Sequence, residues 1–141
     1  MRVFVIVLPL LLAACATSTV EPVQTLPEQV VDHHNSRNSL DWMGVYRGVL
    51  PCADCPGIEQ QLTLGADGGY RLATRYLERQ TEPTVVNGRF QWNERGSHIQ
   101  LDAAGEHAWY QVREGALLRG YADGSWPSGA QIETMTLTQQ R

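Results

Sequence analysis

Apolar and polar residues alternate along most of the chain from residue 42 onward, in short runs separated by turn residues. In the run IEQQLTL, for example, Ile58, Leu62 and Leu64 share one face with Gln60. Such alternation is typical of strands with one buried face, because successive side chains point to opposite sides of a sheet. No segment keeps the period of about 3.6 residues that an amphipathic helix requires. The chain is therefore predicted to be all-β.

About eight strands are predicted, joined by short turns such as the Asp-Gly of GADGG. They are MGVYRGVL, IEQQLTL, YRLATRYL, VVNGRFQW, HIQL, HAWYQV, LLRGY and QIETMTLT. Consecutive short connections favour an up-and-down antiparallel meander, and its closure into a barrel removes exposed sheet edges. A two-sheet sandwich is the competing architecture. Glycines within the strands, at Gly44, Gly48 and Gly88, favour the bends of a small barrel.

The first residues, MRVFVIVLPLLLAAC, combine one basic residue, a short apolar run and small residues before Cys15. The run is too short to span a bilayer, so residues 1–14 are predicted to be a cleaved signal peptide. Leu-Ala-Ala-Cys resembles a lipobox, in which the cysteine is acylated and becomes the N-terminus. Cys15 is therefore the expected lipidation site; a free thiol after ordinary cleavage is the alternative. Ala16 at the next position, rather than Asp, is typical of sorting to the outer membrane.

Residues 15–40 are rich in Pro, Ser, Thr, Gln and Asn and show no apolar periodicity. They are predicted to be a flexible tether from the membrane to one folded domain, residues 41–141, that faces the periplasm. His33 and His34 fall in this tether. We interpret them as solvated, because neighbours in an extended chain point to opposite sides and make a poor chelating pair.

The charge and the missing motifs exclude several classes of function. The chain has 15 acidic and 11 basic residues, for a formal net charge of −4. An acidic chain is a poor partner for nucleic acid, so none is expected. The sequence contains no G-x-S-x-G, no H-E-x-x-H and no glycine-rich phosphate loop. The protein is therefore predicted not to be an enzyme and to require no cofactor.

Cys52 and Cys55 form a C-x-x-C motif between the first two predicted strands. An exported chain enters an oxidising compartment, where such a pair forms a disulfide by default. As thiolates, the pair would be soft ligands suited to Cu(I). Redox catalysis is the third interpretation, but it usually needs a helix N-terminus, and here strands flank the motif. The residues themselves leave the three alternatives open.

Three neighbours of the cysteines are expected to shape the loop. Pro51 restricts its entry, and Gly57 frees its exit. Asp54, between the cysteines, is expected to cap the loop through backbone amides.

Other candidate metal ligands are weaker. Met43 could be a third soft ligand, but we expect it to pack at the start of the first strand. A structural zinc site needs four ligands, which would require a histidine pair such as His98 and His107 beside the cysteines. These two histidines are expected to be exposed at strand ends.

The segment GVYRGVLPCADCPGIEQQLTL closely resembles the start of the N-terminal domain of the NlpE family of copper-resistance outer-membrane lipoproteins. The matching positions follow G-x-Y-x-G-x-L-P-C-A-D-C-x-G-I-x-x-x-L-x-L. The resemblance continues in DGGYRLATRYLER and NGRFQW and covers residues 41–138. Its P-C-A-D-C-x-G-I core is highly specific, whereas a lone C-x-x-C would not be.

The resemblance implies a lipocalin-like β-barrel, a role in copper tolerance, and signalling of surface and envelope stress to the Cpx two-component system. The partner it implies is the periplasmic sensor domain of a histidine kinase, reached by protein docking. The best-known members carry a second, C-terminal domain with its own cysteine pair, which we do not expect in this sequence. Redox sensing that rests on the second domain is therefore not carried over.

Two other classes of function fit a small barrel. An eight-stranded barrel can hold one small ligand, so a lipocalin-like small-molecule binder is the main alternative. A structural envelope protein without a ligand is the third class. Aromatic residues that would line a ligand site, although such residues more often fill the core, are Tyr70, Tyr76, Phe90, Trp92 and Trp109.

Overall fold

The computed structural model describes residues 34–141, which form a closed antiparallel barrel. The strands are β1 (Gly44–Leu50), β2 (Ile58–Leu64), β3 (Gly69–Tyr76), β4 (Thr84–Trp92), β5 (His98–Leu101), β6 (Trp109–Arg113), β7 (Ala116–Arg119) and β8 (Thr136–Gln139). Each strand pairs with the next, and β8 returns to β1. The predicted up-and-down barrel of eight strands is therefore confirmed, and the sandwich alternative is wrong.

Three short helical segments accompany the strands: α1 (Ser36–Ser39), a 3₁₀ turn (Ala103–Gly105) and α2 (Gln131–Thr134). The connections alternate between the two ends of the barrel because the strands run up and down. The end that holds loops 51–57, 77–83, 102–108 and 120–135 is called the upper end. The opposite end, where β1 begins and β8 ends, is called the lower end.

The barrel interior is filled by side chains that alternate along the strands, as the sequence predicts. In β2, Leu62 and Leu64 are buried while Glu59 is exposed. Each fully buried aliphatic side chain contributes about 1.5–3 kcal/mol. The largest side chains that are almost wholly buried are Tyr46, Tyr110, Leu62, Leu64, Ile99, Leu101, Leu117, Leu118 and Leu137.

Closure of the barrel depends on a close approach between the first and last strands. β1 and β8 pair at Tyr46 and Arg47. A Cβ at Gly48 would lie 2.7 Å from the carbonyl oxygen of Thr136 and 2.7 Å from a side-chain carbon of Leu137. The absence of a side chain at Gly48 therefore allows β8 to reach β1, in agreement with the strand bend that the sequence predicts.

The β2–β3 connection is the tight turn predicted from GADGG. Gly68 has a φ of +82°, a backbone conformation that glycine adopts without steric cost. The carboxylate of Asp67 accepts the N–H of Gly69 at 2.9 Å, and the N–H of Gly65 donates to the Gly69 carbonyl at 2.9 Å. These bonds fix the register in which Leu64 faces Tyr70.

The lower end of the barrel is covered by α1 and the residues after it. The Ser36 hydroxyl donates to the Val112 carbonyl at 2.8 Å, and the Arg37 N–H donates to the Gly96 carbonyl at 3.0 Å. Trp42 packs against the core, with its ring centroid 5.3 Å from that of Trp92. Contacts with the barrel thus begin before the predicted domain boundary at residue 41, because these residues bond to the strands' lower ends.

Two predicted strands are shorter than expected. The first half of the predicted strand at 131–138 is α2 instead, and the Thr136 hydroxyl donates to the Ile132 carbonyl at 2.6 Å. Only the second half continues as β8. The predicted strand at 107–112 begins two residues late, at the start of β6, because His107 has a left-handed φ of 53°.

Candidate functional site

The C-x-x-C loop lies at the upper end of the barrel, between β1 and β2. Leu50 and Ile58, at the ends of these strands, are opposite each other in the sheet, so the sheet fixes both ends of the loop. Cys52 and Cys55 are half-buried, whereas Asp54 is exposed. The loop therefore projects from a rigid base into solvent.

A disulfide joins Cys52 and Cys55, with an S–S distance of 2.06 Å and Cα atoms 5.3 Å apart. Of the three interpretations that the sequence left open, the structure contains the disulfide. In this form neither sulfur is a thiolate, the species that binds metals and attacks disulfides. Asp54 Oδ1 lies 3.6 Å from Cys52 Sγ, which is a contact and not a hydrogen bond, because the bonded sulfur carries no hydrogen.

Asp54 is held by an arginine from the neighbouring loop at the upper end. Arg79 Nη2 lies 2.8 Å from Asp54 Oδ2 and donates to the Asp54 carbonyl at 2.9 Å. The expected cap of backbone amides on this carboxylate is therefore wrong. Instead, Nη2 of the Arg79 guanidinium binds one carboxylate oxygen and the backbone carbonyl oxygen of Asp54. Both side chains are at least half exposed, so the ion pair contributes little to stability. It connects the C-x-x-C loop to the β3–β4 loop.

Gly57 is buried, and its role differs from the one expected. A Cβ there would lie 2.5 Å from Val49 Cγ1 and 3.5 Å from Leu77 Cδ1. The Gly57 carbonyl accepts the N–H of Leu77 at 3.0 Å. The sequence suggested that glycine frees the backbone, but the structure shows that it makes room for two neighbouring side chains. Pro51 is exposed and borders the opening of the barrel.

One group of potential metal ligands occurs within residues 34–141. The two sulfurs and a carboxylate oxygen of Cys52, Asp54 and Cys55 lie within 4.8 Å of one another. Met43 is 45% exposed and precedes β1, whereas the loop follows β1. The length of β1 separates them by roughly 20 Å. Met43 is thus too far away to be a ligand of this group, and its exposure contradicts the expected packing at the start of the first strand.

His98 and His107 do not face each other. His98 lies opposite Gln111 in the sheet, and its ring stacks on Trp126 with centroids 4.7 Å apart. Burial, and then the positive charge of Arg95, lower the pKa of His98. His107 is exposed, as expected, whereas His98 is half-buried. The two histidines therefore offer no zinc site with the cysteines.

The upper end of the barrel opens into a cavity of about 390 Å³. Of the five aromatic residues proposed to line a ligand site, Tyr76 does so. Tyr70 and Phe90 belong to the buried core. Trp92 packs against Trp42, and Trp109 against Trp126 outside the cavity. Four of the five therefore do not line this cavity, and the favoured interpretation, that such residues fill the core, is confirmed for Tyr70 and Phe90.

The polar residues of this cavity were not among the sequence-predicted sites. Gln60 and Arg119 line it, and both connect to the hydroxyl of buried Tyr110. The signal for Gln60 was present in the sequence, since it is the polar residue on the inner face of β2. Arg119 gave no comparable signal, because the predicted strand LLRGY was not assigned an inner face.

A second polar network supports the 102–108 loop. The Tyr70 hydroxyl donates to Asp102 Oδ1 at 2.7 Å, and the Arg89 N–H donates to Asp102 Oδ2 at 2.8 Å. The Arg89 bond, followed by the Tyr70 bond, lowers the pKa of Asp102. Burial and the bond to Asp102 raise the pKa of Tyr70. These bonds join β3 and β4 to the 102–108 loop and so hold the loop in position.

The lipid attachment predicted at Cys15, the signal peptide 1–14 and the tether up to residue 33 lie outside the described residues. His34 lies inside them, is exposed, and approaches Ser39 Oγ at 3.4 Å. Within residues 34–141, no helix combines the length and the hydropathy required to cross a bilayer.

The sequence profile of the NlpE N-terminal domain matches residues 46–139, from within β1 to the last residue of β8. The chain belongs to the NlpE N-terminal domain family. The match spans nearly all of the closed barrel, including the disulfide loop and the cavity at the upper end. The resemblance first seen in the P-C-A-D-C-x-G-I core is confirmed over residues 46–139.

Lipoprotein NlpE of Escherichia coli K12 is 40% identical over 73 residues, which are 51% of this chain and 31% of that protein. The 17 kDa lipoprotein of Treponema pallidum is 40% identical over 56 residues, which are 40% of this chain and 36% of that protein. Each match spans about a third of the relative's own length. The NlpE-family barrel therefore corresponds to one part of these lipoproteins.

A solved structure contains the same barrel, and a second one aligns with part of it. A lipoprotein of Shewanella oneidensis aligns with a TM-score of 0.68 at 40% identity, covering 75% of this chain and 95% of that one. The Cpx pathway activator NlpE of Escherichia coli aligns with a TM-score of 0.49 at 31% identity, covering 61% of this chain and 46% of that one. The Shewanella chain consists almost entirely of the region that aligns with this barrel.

Proposed function

We propose that the protein is a lipid-anchored lipoprotein of the NlpE type that docks a protein partner through the upper end of its barrel. Cys15 would carry the lipid, and the outer membrane would be the site of attachment. The docked partner would be the periplasmic sensor domain of a Cpx-type histidine kinase. Family membership supports this proposal, and the Escherichia coli relative is described as a Cpx pathway activator.

The observation that carries the docking proposal is the exposure of apolar side chains at the upper end. Val49 at the end of β1, Tyr76 at the end of β3 and Val85 at the start of β4 are 51%, 40% and 39% exposed. Large exposed apolar side chains at one end of a barrel favour a protein contact there. Val49 lies nearest to the disulfide loop, since its Cγ1 would meet a Cβ at Gly57, and the Asp54–Arg79 pair adds a polar rim.

The loop would make this docking surface responsive to copper. Reduction by a dithiol, with two electrons and two protons, would open the disulfide to two thiols. The two thiolates would be a pair of soft ligands, and the carboxylate of Asp54, a harder ligand, lies within 4.8 Å of both sulfurs in the disulfide form. Thiolates prefer Cu(I) over harder ions. Cys52 and Cys55 would then hold Cu(I) as a cargo ion in place of their disulfide.

The docking proposal is tested in cells that carry a kinase-dependent reporter. Val49→Glu in the full chain is expected to lower the reporter response that overproduction causes, because a charge there opposes an apolar contact. Met43→Glu is the matched control, since Met43 is comparably exposed at the lower end. An equal response from both variants, at equal protein levels, would contradict docking through the upper end.

The copper proposal is tested on purified protein by alkylation and mass measurement, with and without reductant, followed by Cu(I) titration against a competing chelator. The oxidised form is expected to resist alkylation and to take up no Cu(I). The reduced form is expected to bind one equivalent, and Cys52→Ser is expected to abolish this. Ala53→Ser, which changes the exposed residue next to Cys52, is the control. If the reduced wild-type protein fails to compete with the chelator for Cu(I), the copper role is contradicted and the docking proposal is unaffected.

A further inference from the structure

The cavity at the upper end of the barrel is built from two different kinds of surface. Its lining includes the polar side chains of Gln60 and Arg119 together with apolar side chains. Its volume of about 390 Å³ is within the range of ligand pockets, about 300–1,000 Å³. The walls include the apolar residues Leu50, Ile58, Leu72, Val86 and Met135.

The donor and the acceptor of each hydrogen bond inside the cavity follow from the groups that form it. Arg119 Nη1 lies 2.9 Å from the Tyr110 hydroxyl, and arginine can only donate, so the hydroxyl oxygen accepts. The one hydroxyl proton of Tyr110 is then donated to Gln60 Oε1, 3.3 Å away. This assignment uses the amide oxygen of Gln60 and leaves its NH₂ group as the part that can meet a ligand.

The cavity therefore presents donors. The guanidinium of Arg119 makes one hydrogen bond, to Tyr110, and no ion pair within residues 34–141 neutralises it. Its Cζ lies 5.2 Å from the centroid of the Tyr110 ring, so the aromatic face holds it in place. Tyr110 is wholly buried, and Gln60 is 7% exposed. A half-buried cation and an amide donor, both held in place by a buried tyrosine, form a preorganised site for an anion.

Other charges near the cavity do not cancel this site. Glu106 is the carboxylate among the lining residues, and it is exposed on the 102–108 loop. The charged pair Asp54–Arg79 lies on the outer surface of the upper end, where both groups are solvated. An anion that enters past Glu106 therefore meets Arg119 as the nearest unneutralised charge of the cavity lining.

We propose that the barrel binds the carboxylate of a single-chain amphipathic acid, with the carboxylate on Arg119 and Gln60 and the alkyl chain against the apolar walls. The ligand class is a monocarboxylate of the fatty-acid type. A two-chain phospholipid does not match, because the volume is at the lower end of the range for ligand pockets. Arg119 and Gln60 take no part in the proposed docking and copper roles, whereas Tyr76 both lines this cavity and belongs to the proposed docking surface.

The test uses residues 32–141, the compact unit that contains the whole barrel, with which the Shewanella chain aligns over 95% of its own length. Dodecanoate, below its micelle concentration, is titrated into this domain by calorimetry. Dodecanol and dodecyltrimethylammonium are the matched probes, because they keep the chain and replace the anion with a neutral or a cationic head. Dodecanoate is expected to bind more tightly than either by about 10-fold or more, as one charge-assisted hydrogen-bonded pair implies.

Variants separate the anion site from the apolar cavity. Arg119→Gln is expected to remove the preference for dodecanoate over dodecanol, and Arg119→Lys to retain part of it. Arg113→Gln is the control, because Arg113 bonds to Gln111 and is not part of the cavity lining. Gln60→Glu, which adds a like charge, is expected to weaken dodecanoate alone. Gln61→Glu, on the outer face of β2, should not.

Three results would overturn the proposal. The first is equal affinity for dodecanoate and dodecanol, which would mean an apolar cavity without an anion site. The second is a preference for dodecanoate that persists in Arg119→Gln, which would place the anion elsewhere. The third is no detectable heat from any probe in folded wild-type domain, together with no change in the Arg119 side-chain NMR signals.

Discussion

The hydroxyl of Tyr70 on β3 donates a 2.7 Å hydrogen bond to Asp102, directly after β5, and so joins strands that are not neighbours in the barrel. Two glycines make this bond sterically feasible. A Cβ at Gly88 would lie 2.4 Å from Asp102 Oδ1, and a Cβ at Gly105 would lie 2.6 Å from the Tyr70 hydroxyl. The pair thus fixes the 102–108 loop, one border of the cavity at the upper end.

Removal of the Tyr70 hydroxyl should destabilise the barrel. Tyr70→Phe keeps the buried ring but deletes the donor, and we expect it to lower the free energy of unfolding by about 1–2 kcal/mol. Urea denaturation measures this change. Tyr76→Phe is the control, since Tyr76 is 40% exposed, and should have little effect. Equal stability of Tyr70→Phe and wild type would mean that the bond contributes nothing.

Asp102 should make the fold sensitive to acid. Its pKa is lowered, first by the Arg89 N–H and then by Tyr70, so the ionised form is favoured in the folded state. Such a group stabilises the fold above its unfolded pKa of about 4, and the contribution is lost as the pH falls through the folded pKa. Asp102→Asn should therefore flatten the decline of stability below about pH 4.

The flattening should be partial, because Ser125 likewise lowers the pKa of Asp123. Unfolding curves at stepped pH values measure it for wild type, Asp102→Asn and Tyr70→Phe. Tyr70→Phe removes one of the two largest causes of the shift and should give an intermediate slope. A slope in Asp102→Asn equal to that of wild type would contradict the assignment.

A methyl group at Gly48 should open the seam between the first and last strands. Gly48→Ala places a carbon against the Thr136 carbonyl, and we expect it to cost about 1–3 kcal/mol, the usual range for overpacking. Hydrogen exchange should also quicken at Gln140, whose N–H donates to the Val45 carbonyl across the seam.

Gly115→Ala is the control for that substitution. Gly115 has a φ of +62°, and a Cβ added there would meet no atom within 4 Å, so only backbone strain is introduced. In the Gly115→Ala variant, the hydrogen-exchange rate of the Gln140 N–H should therefore equal that of wild type after correction for global stability. Equal exchange at Gln140 in both variants would show that the seam tolerates a Cβ at Gly48.

Loss of the disulfide should weaken the barrel without unfolding it. The closed ring is small, with a sequence separation of 3, so chain entropy predicts a loss of only about 2 kcal/mol for the Cys52→Ser, Cys55→Ser double variant. Urea denaturation and far-ultraviolet circular dichroism measure stability and strand content. A double variant that fails to fold would show that the barrel requires the closed loop.

Much of the fold was readable because a strand's burial pattern is local. The alternation in IEQQLTL predicted which face of β2 is buried, including Gln60, and GADGG predicted the turn with Gly68 at positive φ. The C-x-x-C spacing and the export signal predicted that Cys52 and Cys55 would meet, since residues three apart in a turn are within reach of each other. The family followed from the same short motif.

The tertiary structure decided what depends on residues far apart in the chain. The partner of Asp54 is Arg79, 25 positions away, so a local cap was a poor guide. Trp109 packs on Trp126 rather than in the cavity, because that contact depends on the path of the 120–135 loop. Arg119 already meets Tyr110 within the β6–β7 hairpin, whereas Tyr110 meets Gln60 of β2 only when the barrel closes. The sequence by itself determined strands and turns and left the chemical state of the cysteines open, which the structure showed to be a disulfide; closure placed Gln60 beside the Tyr110–Arg119 pair, since closure alone brings non-adjacent strands together.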